Sequence, residues 1–154
     1  MDEQNDESEQ ARLARNMGEL LQELRVAQAG VQILFAFLLS VTFSARFGQA
    51  SELQRVTLVV TILLTTASAA LLIAPVVWHR LYFRQGKRAE IIRWGSRCAL
   101  GGAVLLAMAM AGAVLVTTAP VVGSAVAILF AGCAAVLFGT AWLFLPAALR
   151  SHRS

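Results

Sequence analysis

The 52 positions from Cys98 to Leu149, CALGGAVLLAMAMAGAVLVTTAPVVGSAVAILFAGCAAVLFGTAWLFLPAAL, contain no Asp, Glu, Lys, Arg or His. As one helix they would extend about 78 Å at a rise of about 1.5 Å per residue, whereas roughly 20 apolar residues cross the ~30 Å of hydrocarbon in a bilayer. The stretch must therefore fold back on itself. Thr117-Thr118-Ala119-Pro120 is the expected place, because proline lacks an N–H, disfavours helix in the residue before it and suits the first turn of a new helix. Upstream, Val26 to Ala45 gives 20 uncharged positions and Val56 to Trp78 gives 23, so each reads as one span. Four helices follow, at about 26–45, 56–78, 97–117 and 121–146.

The composition agrees. Of the 154 residues, 58% are hydrophobic and 14% charged, with a mean hydropathy of +0.68. A soluble domain carries about a quarter charged residues. A soluble helical bundle would also show polar residues every third or fourth position on each helix, and the last two spans have none with a formal charge. The expected fold is all-α, a polytopic membrane protein in which residues 11–150 form a single four-helix transmembrane domain, with 151–154 as a tail. The net charge of +4 and pI near 10 do not indicate nucleic acid. The basic residues flank apolar runs, which suits loops beside an anionic lipid surface.

Orientation follows from the arginines. Arg12, Arg15 and Arg25 precede the first span, Arg80, Arg84, Lys87, Arg88, Arg93 and Arg97 connect spans two and three, and Arg150 and Arg153 follow the fourth. These eleven share one side, against Arg46 and Arg55 on the other. The positive-inside rule places that side, with both termini, in the cytoplasm. Trp78, Tyr82, Trp94 and Trp142 fit an aromatic belt there. The acidic, polar first ten residues do not read as a secretory signal, so the first span is expected to insert as an uncleaved signal.

Little is expected outside the bilayer. Residues 1–10 hold Asp2, Glu3, Asp6, Glu7 and Glu9 and read as a disordered acidic tail. Leu13, Met17, Leu20, Leu21 and Leu24 then recur at helical spacing, predicting an interfacial amphipathic helix along the headgroups before the first span. In the loop between spans two and three, Arg84, Lys87, Arg88, Arg93 and Arg97 can contact anionic headgroups, besides fixing topology.

Lipid gives no hydrophobic gain for bringing helices together, so close backbone approach must do it. Ala99, Ala103, Ala107 and Ala111 on the third span, and Gly123, Ala127, Ala131, Ala135 and Gly139 on the fourth, form stripes of small residues one turn apart. They are the expected contact between those two antiparallel helices, or an interface with another copy. Gly101-Gly102 also reads as packing. Thr57, Thr61 and Thr65 form a polar stripe whose hydroxyls can bond back to the preceding turn.

No enzyme signature occurs. Cys98 and Cys133 form no CxxC pair, the two histidines lie far apart, and no phosphate-cradling glycine loop or serine triad is present. The expectation is a protein that is not an enzyme and has no metal or cofactor. Cys98 near the reducing side and Cys133 near mid-membrane are not expected to pair. The unusual polar content is Glu19, Glu23, Arg25, Gln28 and Gln32 on the first helix, facing His79 and Arg80 at the end of the second, where Pro75 frees a carbonyl. Polar groups at such depth need partners, because lipid offers none. Glue between helices and a functional cluster are both open readings.

The segment ELLQELRVAQAGVQILFAFLL at 19–39, Arg46-Phe47, and LIAPVVWHRL at 72–81 resemble a family of small four-helix bacterial membrane proteins without established function. Some of its members carry an automatic label of sodium:proton antiporter. The resemblance covers about residues 16–84, and the last two helices only by hydropathy. It implies a bacterial inner or plasma membrane and matches Glu23, Arg25, Gln28, Gln32, His79 and Arg80 to characteristic positions. Sodium–proton exchange normally needs a titratable carboxylate within the membrane. Here no Asp or Glu lies within any expected span, and four helices give no inverted repeat. Two functions stand against each other. One is a non-enzymatic protein whose cytoplasmic polar cluster engages a partner, a lipid or its own copy. The other is a small oligomeric cation/proton transporter using Glu23 and His79.

Overall fold

The computed structural model describes residues 2–82 and 88–144. Four helices dominate: α1 Asp2–Thr42, α2 Glu52–Tyr82, α3 Arg88–Val122 and α4 Ser124–Gly139. A 3-10 turn at Ala45–Gln49 links α1 to α2, and a π-helical turn at Thr140–Phe144 prolongs α4. All four helices are long and apolar enough to cross a membrane, over Ala14–Thr42, Glu52–Leu81, Ile92–Val122 and Ser124–Trp142. By helix length and hydropathy this is a multi-pass membrane protein.

The N-terminal segment departs from expectation. No separate interfacial helix forms; α1 is one continuous helix that begins at Asp2, through the residues expected to be a disordered tail, and ends at Thr42. Within it there is no proline, and Gly18 and Gly30 are its only glycines. Each glycine costs about 1 kcal/mol or less against alanine, too little to break a helix rich in Ala, Glu, Gln, Leu and Arg. The apolar repeat also enters the span without changing phase: Met17, Leu24, Val31 and Leu38 are all buried, seven residues apart.

Two other boundaries move for local reasons. α2 starts at Glu52, four residues before the uncharged stretch, because Ser51 and Gln54 form a capping box. The Ser51 N–H donates to Gln54 Oε1 (2.8 Å) and the Gln54 N–H to Ser51 Oγ (3.3 Å). Arg55 closes the loop by donating from Nη2 to the Gly48 carbonyl (3.1 Å). The reversal between the last two helices is not at Thr117–Pro120. α3 runs through Pro120 to Val122, and the chain turns at Gly123 (φ +84°, ψ 159°). Thr117 and Thr118 donate back to the Ala113 and Val114 carbonyls (2.8 and 2.7 Å), which keeps the helix intact there. Reversal within one residue needs a backbone region essentially restricted to glycine, and Gly123 supplies it.

The core is a seam of heptads. In α2 the buried positions are Leu58, Thr61, Thr65, Ser68, Leu72 and Pro75, alternating by three and four. In α3 they are Gly95, Gly102, Ala109 and Val116, at sevens, with Ala113 and Ala119 beside them. A 3.5-residue repeat on three helices is the pattern of left-handed, knobs-into-holes packing. Leu24, Val31 and Leu72 form one apolar cluster, and Leu38, Leu58, Ala113 and Val116 the other. The α1–α2 loop and the α3–α4 turn sit at the same end, where Phe47, Gln49, Thr117 and Pro120 line one crevice.

Candidate functional site

The glycines decide how closely α2 and α3 approach. A Cβ on Gly102 would lie 2.8 Å from Leu72 Cγ, and one on Gly112 would collide with Thr61 Oγ1. At Gly95 a Cβ would meet Leu20 Cδ2 at 3.1 Å and Pro75 Cβ at 3.3 Å, so Pro75 is seated where α1, α2 and α3 converge. Ser68 donates across this seam to the Gly102 carbonyl (2.7 Å) and is fully buried. Thr61 and Thr65 donate to the carbonyls of Thr57 and Thr61 (2.6 and 2.8 Å). These three hydroxyls are the buried polar side chains among the described residues, and each is satisfied. Of the three, only Ser68 ties two helices together; Thr61 and Thr65 bond within α2.

The polar residues of α1 lie elsewhere. Glu19, Glu23, Arg25 and Gln32 are exposed, and Gln28 is half-buried. Arg25 donates from Nη1 to Gln22 Oε1 (3.2 Å), a bond within one turn of α1. On α2, His79 is half-buried and Arg80 exposed. The seam between these helices is built instead from Leu20, Leu24, Val31, Ala69 and Leu72. Gln32 sits beside Phe35, Thr65, Thr66 and Ala69 on the rim of a shallow groove between α1 and α2. That level is the middle of α2, so Gln32 is an exposed amide near the midpoint of the bundle.

The small-residue stripes face each other between α3 and α4, with a gap. Ala127 is fully buried, and Ala111 and Ala131 are half-buried. Ala103, Ala107, Ala135 and Gly139 line an apolar cavity of about 190 Å³ with Phe138 and Trp142. Gly123 is at the reversal and Ala99 packs on the α1–α2 cluster instead. The tightest small-residue interface is between α2 and α3, which the stripes did not indicate; the repeat Gly95, Gly102, Ala109 carried that signal. Of the basic residues, Arg93 and Arg97 are exposed on α3, and the Arg97 guanidinium lies 5.0 Å from the centre of the Trp94 ring. Arg84 and Lys87 lie outside the described residues, as does the side chain of Arg88. Among the described residues no group of three His, Cys, Asp or Glu side chains could hold a metal.

A family model matches residues 6–146, covering all four helices. The chain belongs to DUF6328, a family of unknown function. The match extends the likeness beyond residues 16–84, so the last two helices of this DUF6328 protein belong to the family unit as much as the first two. No curated protein and no solved structure matches the chain.

Proposed function

We propose that this DUF6328 protein is a non-enzymatic protein of the bacterial cytoplasmic membrane, with both termini inside, whose α1 carries a polar face for association with a second copy. Gln32 carries this reading. It is exposed at the midpoint of the bundle, where an amide facing lipid finds no hydrogen-bond partner. Ala29, Ala36 and Ser40 are exposed on the same side, at the three-to-four spacing that lets another helix approach closely. Ala29, Ala36 and Ser40 lie across the helix from the buried seam of Val31 and Leu38, and Gln32 stands at the edge of that side, beside the α1–α2 groove. Arg25, two turns before Gln32, continues the polar face; Glu19 and Glu23 stand on the other side of α1.

Association in lipid vesicles, followed by energy transfer between donor- and acceptor-labelled copies, tests the reading. Interhelical hydrogen bonds in membranes are worth about 0.6–2 kcal/mol, so Gln32→Leu is expected to weaken association about threefold to thirtyfold. A wild-type chain that stays monomeric, or a Gln32→Leu chain that associates equally well, overturns it. Transport is separated by the same preparation. Vesicles with a trapped pH dye are expected to show no cation-driven proton flux above empty vesicles. Flux that disappears in Glu23→Gln would assign the protein to transport instead.

A further inference from the structure

We infer that the groove between α3 and α4 holds one acyl chain of an anionic glycerophospholipid, with its phosphate on Arg93 and Arg97 at the mouth. The cavity of about 190 Å³ is walled by Leu100, Ala103, Ala107, Ala135, Phe138 and Trp142. Apolar cavities of about 150 Å³ stay dry and admit a hydrocarbon guest. The small residues on both helices leave the space between Leu100, Phe138 and Trp142 unfilled, so the gap follows from the sequence. Arg93 and Arg97 stand on the helical face of Leu100 and Val104, at successive steps of four, three and four. Both arginines are exposed, and Arg97 lies over the Trp94 ring at that end. From Arg97 to Ala107 the helix rises about 15 Å, roughly half the hydrocarbon thickness. A phosphate at Arg97 therefore sets its own acyl chain alongside the cavity. The π-helical turn at Thr140–Phe144 reshapes α4 at the same mouth, where Phe138 and Trp142 meet edge to face with centroids 5.1 Å apart. Such turns concentrate at functional sites.

The chain leaves bulk lipid as apolar as the cavity, so the walls select shape and contribute little affinity. Both headgroups offer a phosphate to the guanidinium groups; preference for the anionic one comes from its net negative charge, which the choline ammonium cancels in phosphatidylcholine. The site uses neither α1 nor Gln32, so it stands or falls independently of self-association.

Delipidated protein in a neutral detergent, mixed with equal amounts of phosphatidylglycerol and phosphatidylcholine of identical chains, provides the test by native mass spectrometry. One phosphatidylglycerol per chain is expected, in about fivefold or greater preference, as one or two arginines beside a net negative headgroup would give. Arg93→Gln with Arg97→Gln is expected to bring the ratio to one, and Ala107→Leu to remove bound lipid of either kind. Millimolar inorganic phosphate is expected not to displace the lipid. Should Ala107→Leu fail to fold, the wild-type protein in phosphatidylcholine vesicles decides. There, phosphatidylglycerol brominated along its chains is expected to quench Trp142 more than brominated phosphatidylcholine, with the difference lost in Trp142→Phe. Equal retention or quenching by the two lipids, an unchanged ratio in the double arginine variant, retention in a folded Ala107→Leu chain, or displacement by phosphate overturns the site.

Discussion

Gly112 and Thr61 show what the membrane demands of single residues. A methyl group on Gly112 would strike Thr61 Oγ1, and Thr61 cannot swing away without giving up its 2.6 Å bond to the Thr57 carbonyl. Gly112→Ala is therefore expected to cost about 1–3 kcal/mol, the usual range for overpacking a close interface. Thr61→Ala in the same chain removes the obstructing oxygen and should restore more than half of the loss. Unfolding midpoints of the two single variants and the pair, taken as a double-mutant cycle, measure this coupling. Simple additivity would mean the helices are not held at this contact. Gly132→Ala is the control, since a Cβ there meets nothing within 4 Å. The threonine back-bonds were legible in the sequence because donor and acceptor lie four residues apart on one helix. The Ser68 bond to Gly102 was not, because it depends on the register between two helices.

At the scale of elements, the charge gaps located the apolar spans, the last two within one gap, since the cost of desolvating a charge ends a span, though not the helix that carries it. They misplaced the ends wherever local chemistry overrides hydropathy. Ser51 and Gln54 extend α2 backward by their reciprocal hydrogen bonds, a signature readable as S-x-x-Q but hidden beside charged residues. The hairpin was assigned to Pro120 because proline is the stronger helix breaker, yet proline near a helix end is tolerated and reversal needs positive φ. Gly123 alone among the described residues has it. Gly123→Ala is accordingly expected to destabilise the protein by about 1–3 kcal/mol, the cost of forcing a side chain into that backbone region. Pro120→Ala, which restores an N–H to the last turn of α3, should change the thermal midpoint far less. If the two substitutions weigh equally in thermal unfolding, the reversal is not governed by Gly123.

For the whole molecule, α4 is the least embedded helix: 6% of its most apolar stretch is buried, against 28% in α2. The heptad seam of α1, α2 and α3 thus forms the body of the bundle, and α4 leans on α3 with most of its surface exposed. The sequence could not reveal this, since all four helices are similarly apolar and only register separates a seam face from a lipid face. Orientation, by contrast, rests on charge. The α1–α2 loop and the α3–α4 turn share one end, which carries Arg46 and Arg55. Arg80, Arg93 and Arg97 lie at the opposite end, at the close of α2 and the start of α3. Because positively charged loops are retained in the cytoplasm, a cysteine at Gln49 or Ser124 should react with an impermeant maleimide added to intact cells. One at Ser96 should react only after permeabilisation. Both endogenous thiols can be replaced by serine for this experiment, and Cys133 restored alone gives a further readout. It is exposed on α4 at the level of Ile128–Leu137, facing lipid, so a lipid-soluble maleimide should label it where the water-soluble reagent does not. Labelling of Ser96→Cys from outside would invert the topology. Ready reaction of Cys133 with the water-soluble reagent would mean that α4 is sheathed by water, and a bilayer could then no longer be the solvent that shapes this fold.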